Sequence, residues 1–358
     1  MANARYERAP GSLRAPPGRG PQRISSRAFY ATYHGHAVDH LSRLHAEARD
    51  GARPSDGRPH CDAIVWLAGD SSLDNKFWFS DSAPAVGPYA EVLRPPESVC
   101  DVAYWIGRHA EAREGGGPRY ACVNAAVEAT TLNQRRGGCS LTAQDRFLRD
   151  SLREEDVLVV SVGGNDVALC PTPCTALSMG CLLCLPASAV RDGCTCCAVP
   201  ADDCCCGCGA STLSCLGSWP PCLGYFRHLF GTRVQLYIEA ITAVTKPRKV
   251  LVCMIYYLDE APVPSWAGGF LQLIGYNSTP GKLQNIIAKM FEEATRKIRI
   301  PGTQVIPVPL FHVLDGATSS DYVSRVEPSA QGGDKMGRYL LDIITKGEGP
   351  TNMVMGDR

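Results

Sequence analysis

A serine placed directly after a buried strand is the residue best positioned here for covalent chemistry. The run Ala63-Ile64-Val65-Trp66-Leu67-Ala68 is continuously apolar and closes on Gly69-Asp70-Ser71-Ser72-Leu73-Asp74-Asn75. Such a run suits a strand covered on both faces of a parallel sheet, and ligands of these sheets gather beyond the carboxyl ends of the strands. A hydroxyl at that edge, followed by a helix, lies near N–H groups that favour a developing negative charge. The Gly-Asp-Ser triplet alone decides little, since Ser71 or Asp70 would equally cap the next helix. Asp74 and Asn75 either line a pocket or belong to the first helical turn, where acidic residues are common. Two more blocks stand in the same relation to strands. Asn124-Ala125-Ala126-Val127-Glu128-Ala129-Thr130 follows the short run at 120–123, and Gly163-Gly164-Asn165-Asp166 follows the run at 157–162. By itself Asn165-Asp166 reads as a turn that bonds its own backbone.

In order, Gly-Asp-Ser, a turn after the second strand, and Gly-x-Asn-Asp resemble the blocks of the SGNH (GDSL-type) hydrolases. The resemblance spans about residue 62 to the last helix. A nucleophile this early, without a Gly-x-Ser-x-Gly elbow, sets the chain apart from the α/β-hydrolases. The resemblance implies a three-layer α/β/α sandwich with a mainly parallel sheet, and hydrolysis of an ester or acyl group through an acyl-serine. It makes Ser71 the nucleophile. The oxyanion hole would be the backbone N–H of Ser71, the backbone N–H of Ala129 and the side-chain amide of Asn165, with Asp70, Asp74, Asn75 and Asp166 around the pocket. The family usually has glycine where Ala129 stands; alanine keeps the N–H donor but calls for ordinary φ/ψ at that turn.

The C-terminal block departs from the family. Where Asp-x-x-His is expected, this chain has Ser324-Arg325-Val326-Glu327-Pro328-Ser329-Ala330-Gln331-Gly332, so Glu327 takes the histidine position and Ser324 the aspartate position. Three readings follow. Glu327 acts as a carboxylate base on Ser71, His312 beyond the last strand is recruited instead, or hydrolysis is lost and the site only binds an acylated or carboxylate ligand. A Glu327 base predicts activity switching on at about pH 4 to 6, depending on burial, and a His312 base at about 6 to 7.

The elements that must position these residues alternate in type. Further apolar runs lie at 250–255 and 304–310, the latter an edge strand by its prolines. Helical stripes follow at Leu283, Ile286, Ile287, Met290 and Phe291, with Thr279 as N-cap and Pro280 in the first turn, and at Met336, Tyr339, Leu340, Ile343 and Ile344. Strands alternating with helices indicate a parallel sheet. Residues 28–48 read as one helix, carrying His34, His36, His40 and His45. His36 and His40 are a turn apart as metal ligands can be, without a third ligand. The resulting organisation is a basic tail (1–27), a helix and linker (28–60), a hydrolase-like domain (61–348) and a second tail (349–358).

That domain is interrupted at 170–222, where thirteen of the 18 cysteines fall. Disulfide-stapled secreted folds spread their cysteines along the chain, and the first residues lack the apolar core of a secretory signal. The expectation is an intracellular protein, cytoplasmic or organellar. Cys181, Cys184, Cys194, Cys196, Cys197, Cys204, Cys206 and Cys208 have spacings that suit a thiophilic metal, a disulfide set or low-complexity drift. A metal-handling protein on a hydrolase scaffold is therefore a third reading, although the hydrolase chemistry requires no cofactor. The insert's place after Asn165 suggests a lid, whose removal (174–215) would leave the core intact. Prolines at 171, 173 and 186 break its uncharged stretch, so no membrane span is expected. With 36 basic and 36 acidic residues, no net charge recruits nucleic acid. The partner expected is a small ester or acyl substrate, and oligomeric state is left open.

Overall fold

The computed structural model describes residues 23–113, 117–135, 140–195 and 217–346. Five strands form its central sheet: β1 (Ala63–Gly69), β2 (Tyr120–Asn124), β3 (Val157–Ser161), β4 (Lys249–Met254) and β5 (Gln304–Pro309). Their order is β2-β1-β3-β4-β5, and every neighbouring pair is parallel. Every residue of β1, β3 and β4 is buried, as strands covered on both faces require. The proline-bearing β5 takes one edge, as its composition demanded.

The helices used below are α1 (Ser26–Tyr30), α2 (Val38–Asp50), α3 (Val102–Glu111), α4 (Ala143–Ser151), α5 (Pro173–Cys184), α6 (Ala187–Arg191), α7 (Pro221–Arg227), α8 (Val234–Ile241), α9 (Gly268–Leu273), α10 (Pro280–Glu293) and α11 (Ala330–Lys346). On one side α3 and α11 pack together, with Gly333 and Gly337 admitting Trp105 so closely that a Cβ at 337 would lie 2.8 Å from its side chain. The other layer runs from α2 to α4 to α8, and α10 lies along β4 and β5. These layers make the three-layer sandwich. The strand order reverses direction between β1 and β3, the position at which open parallel sheets form a crevice.

Three sequence expectations change. Residues 28–48 are not one helix: α1 ends at Tyr30, and α2 begins at Val38. His34 and His36 lie between them, where buried His36 bonds the Phe29 carbonyl at 2.9 Å and burial lowers its pKa to about 3. Among the described residues no third metal-ligating side chain joins His36 and His40. The N-terminal tail also stops short of residue 27, because Ile24 and Ser25 pair in parallel with Leu93 and Arg94. Finally, Thr279 occupies the N-cap position of α10, but its hydroxyl donates to the Gly275 carbonyl at 3.1 Å rather than capping the helix.

The cysteine-rich excursion contributes to the core. From α5 and α6, Met179, Leu182 and Val190 are buried in it, joined by Leu223 and Phe226 of α7. Removing 174–215 would therefore strip three core side chains, against the expectation of an untouched core. Among the described residues, no group of three metal-ligating side chains forms a metal site. Cys181 and Cys184 are exposed thiols; Cys196, Cys197, Cys204, Cys206 and Cys208 lie outside the described residues. No described helix is long and apolar enough to cross a membrane.

Candidate active site

Ser71 sits at the crevice because β1 ends on a glycine that no other residue could replace. Gly69 has φ +133°, and a Cβ there would stand 1.7 Å from the Ser161 carbonyl oxygen of β3. The chain then turns through Asp70, whose buried carboxylate accepts from the Ser72 N–H (3.1 Å), the Ser72 hydroxyl (2.8 Å) and the Gly163 N–H (3.2 Å). Asp70 thus ties the Ser71 turn to the loop after β3. Burial raises its carboxyl to about 6.

The three groups expected to be oxyanion donors follow three different strands. Among the described residues the backbone N–H groups of Ser71 and Ala129 have no hydrogen-bond acceptor. Asn165 lines the same groove as Ser71, and its Nδ2 donates one N–H to the Thr130 carbonyl at 3.0 Å. That bond orients the amide and leaves its second N–H for a ligand. Ala129 holds φ +58°, in the left-handed region, so the expectation of ordinary φ/ψ is wrong. The turn keeps its backbone shape and alanine carries the strain, about 1–2 kcal/mol. Asp74 fixes that turn from beneath. Fully buried, it accepts from the Glu128 N–H (2.9 Å), the Gly35 N–H (3.1 Å) and the Lys76 ammonium (2.6 Å).

A second clamp is Arg135, buried with its charge paired to Asp145 at 3.0 Å. Its Nη1 donates to the Thr130 hydroxyl (2.6 Å) and its Nη2 to the Gly69 carbonyl (2.7 Å). One guanidinium therefore joins the residue after Ala129 to the strand end before Ser71.

Glu327 is delivered from the far end of the chain. Its backbone belongs to a short antiparallel pair, Tyr322–Val323 with Glu327–Pro328. The tight turn between them places Ser324 and Arg325 at φ +50° and +68°, a left-handed pair that hairpin turns favour and that glycine or asparagine usually fills. Arg325 offsets the cost through its buried guanidinium: Nε and Nη2 donate to the Asp259 carbonyl (3.2 and 3.0 Å) and Nη1 to Asn277 Oδ1 (2.8 Å). The carbonyls on both sides of Glu327 are held as well. Tyr256 donates to Val326 at 2.8 Å and Asn75 Nδ2 to Pro328 at 3.0 Å.

Held this way, the Glu327 carboxyl lines the groove beside Ser71, whose hydroxyl acts to lower its pKa. Its Oε2 is buried without a protein partner. Burial first, then the neighbouring Glu128 and Asp70 charges, push its pKa up to about 8. The sequence-based range of 4 to 6 is too low, because a carboxyl out of water and facing like charges holds its proton.

Four other sequence candidates are placed elsewhere. His312 is exposed beyond β5, packed on Phe311 with Glu292 as its charged neighbour, and does not line the groove. No described histidine hydrogen-bonds with Ser71. Asp166 points away from the groove to accept from the Leu132 and Asn133 N–H groups (2.7 and 3.2 Å). Asp74 and Asn75 are buried beneath the site and position its loops without lining the groove.

Sequence reasoning overlooked Glu128. It is buried, its Oε1 accepts from Trp78 Nε1 at 2.9 Å, and its Oε2 has no partner. Burial and Asp74 raise it to about 7. A signal was present: Glu128 is the only charged residue between Arg119 and Arg135. A charge in so apolar a run, one position before a proposed oxyanion donor, asks for a reason.

From Ser71 the groove runs between Met179 of α5, Phe226, Trp266, Phe270 of α9 and the α10 side chains Leu283, Ile286 and Ile287. Its far wall is apolar throughout, so it suits a hydrocarbon chain better than a sugar ring.

No family model matches this chain, and no curated protein matches it. Solved structures similar to it include the inhibitor-bound M. smegmatis aryl esterase (TM-score 0.37, 12% identity, 79% of this chain and 98% of that one). A carbohydrate acetylesterase from Sinorhizobium meliloti aligns with TM-score 0.36 and 12% identity over 79% and 98%. A carbohydrate esterase family 3 protein from Talaromyces cellulolyticus aligns with TM-score 0.33 and 10% identity over 79% and 96%. Alignments this loose leave the functional argument to the side chains of the site.

Proposed function

We propose that this chain is a serine acyl hydrolase of the SGNH type in which Ser71 and Glu327 form a two-residue catalytic unit. The observation that carries the reading is the buried Glu327 carboxyl beside Ser71, in a groove that Asn165 also lines. The Glu327 carboxylate takes the Ser71 proton as the hydroxyl oxygen attacks the ester carbonyl. The Ser71 and Ala129 N–H groups and the Asn165 amide stabilise the tetrahedral oxyanion. Glu327, now a carboxylic acid, returns the proton to the departing alkoxide. Water then attacks the acyl-serine by the same path in reverse. A base near pKa 8 suits this work better than an ordinary carboxylate, because its proton affinity lies closer to that of the group it serves.

The groove's apolar lining supports an acyl chain as the group transferred to Ser71. A fluorophosphonate probe tests the assignment: wild type labels covalently, and Ser71→Ala does not. Equal labelling of both proteins removes Ser71 from the mechanism.

A second reading rests on the same raised pKa. At pH 7 Glu327 is mostly protonated and would donate a hydrogen bond, which suits a silent site that holds a carboxylate ligand. That site would bind a fatty acid below pH 8 and label with no probe.

A further inference from the structure

The groove from Ser71 opens between two stretches of chain that carry no charge. Residues 167–190 and 261–281 contain no Asp, Glu, Lys or Arg, in a protein that is 20% charged. The first supplies α5 and the second α9, and each gives a wall to the groove through Met179 and Phe270. The stretches meet at the start of α10, where the Lys282 ammonium donates to the Leu183 carbonyl at 3.0 Å.

Outside those walls the same stretches hold large apolar side chains in water. Leu273 is 84% exposed, Leu177 76%, Val263 47%, Trp266 45% and Leu169 41%. Five of the nine large apolar side chains exposed among the described residues thus come from these two stretches. Trp266 joins the two sets, since it lines the groove and reaches solvent.

We propose that this rim is a docking surface for a net-neutral lipid layer, from which a long-chain ester passes into the groove. The argument for a lipid occupant is the combination of apolar side chains with an absence of charge. An anionic membrane is recruited by clustered lysine and arginine, and these stretches offer none. Apolar side chains and an interfacial tryptophan are what a zwitterionic surface accepts. A second copy of the chain seated here would close the groove's mouth, whereas a lipid layer fills it with substrate. The proposal rests on the acyl-hydrolase reading for its use of the groove, but not for the binding itself.

The test is sedimentation of the full chain with sucrose-loaded phosphatidylcholine vesicles. Wild type and Ser71→Ala are expected to bind equally. The double variant Leu177→Asp/Leu273→Asp should bind at least about 10-fold less, since it puts charge where apolar surface inserts. Neither leucine lines the groove, so the variant should hydrolyse p-nitrophenyl butyrate, without lipid, at the wild-type rate. The proposal is overturned if wild type ignores phosphatidylcholine, if binding requires phosphatidylserine, or if the double variant binds as well as wild type. It is also overturned if the substitutions convert a dimer to a monomer in the absence of lipid. Vesicle binding by a wild type that hydrolyses no ester would uphold the surface and remove the hydrolase reading instead.

Discussion

Ser71 and Glu327 reach the same groove by opposite routes. The serine comes straight off a central strand, and its turn is set by neighbours in sequence: the glycine before it and the Asp70 carboxylate that caps Ser72. The glutamate comes from a strained turn between two-residue strands, and beyond that pairing its partners are distant in the chain. Tyr256 and Asn75 bind the carbonyls around it, and Asp259 and Asn277 bind the guanidinium of Arg325. The geometry at Ser71 is therefore set mainly at the sheet edge, and that at Glu327 mainly by the assembled fold. Substitutions near Ser71 should act on chemistry, whereas substitutions remote from Glu327 in sequence should act on its position.

The largest expected effect separates chemistry from folding at the base itself. Glu327→Gln keeps size and most hydrogen bonding but removes the proton acceptor, so kcat should fall about 10³- to 10⁴-fold. The same variant should be more stable than wild type above pH 5. An unfolded glutamate releases its proton near its ordinary 4.5, while the folded one keeps it to about 8. Between those values the native state binds the extra proton, and wild-type stability falls as pH rises. Thermal midpoints of the two proteins should coincide near pH 4.5 and diverge up to pH 8. A variant equally stable at every pH would mean that Glu327 is not buried as described, and His312→Ala should change none of these readouts.

Asn165→Ala comes next, with kcat down about 10²- to 10³-fold, the usual loss for one oxyanion donor. Its folding should be unaffected, and wild-type turnover would remove the amide from the oxyanion hole. Asn75→Ala probes the long-range half of the comparison. It frees the Pro328 carbonyl and the Val102 N–H, which Asn75 Oδ1 accepts at 3.2 Å. Turnover should fall about 10-fold with KM little changed, because the base is displaced and not removed. The smallest effect is a shift without a loss. Glu128→Gln removes a like charge facing Glu327, so the rise of kcat/KM with pH should move below the wild-type value of about 8 while the alkaline plateau stays put. An unmoved pH profile would show that Glu128 does not act on the base.

The contrast between the two loops also explains what the sequence disclosed. Strands buried on both faces announce themselves as apolar runs, so the sandwich and the positions of Ser71 and Asn165 just beyond two of its strands were legible, whereas Glu327 was reached only through the resemblance of its C-terminal block. Positive φ at Ala129, Ser324 and Arg325 was not legible, because side chains that rarely adopt it were held there by distant partners. The reach of Asp166 away from the groove was equally hidden, since it depends on where Leu132 and Asn133 pass. The α1–α2 break at residues 31–37 escaped because the apolar spacing continues through it, while His36 folds back on Phe29. Burial of Glu327 was visible as a position but not as a pKa, which required knowing that Glu128 and Asp70 face it.

One consequence of Arg135 concerns the width of the proposed oxyanion hole. A planar guanidinium with one donor on Gly69 and another on Thr130 acts as a ruler between the two loops that carry the backbone donors. Loops joined only through their own turns would breathe apart and close on whatever oxygen arrived. Loops joined by a rigid group of fixed span, itself pinned by Asp145, hold one gap whether or not substrate is present. The reorganisation that water would have to undergo around a new oxyanion is then already complete in the resting protein. On the acyl-hydrolase proposal, selectivity among acyl groups would then come from the groove, because the hole would have no freedom to adapt.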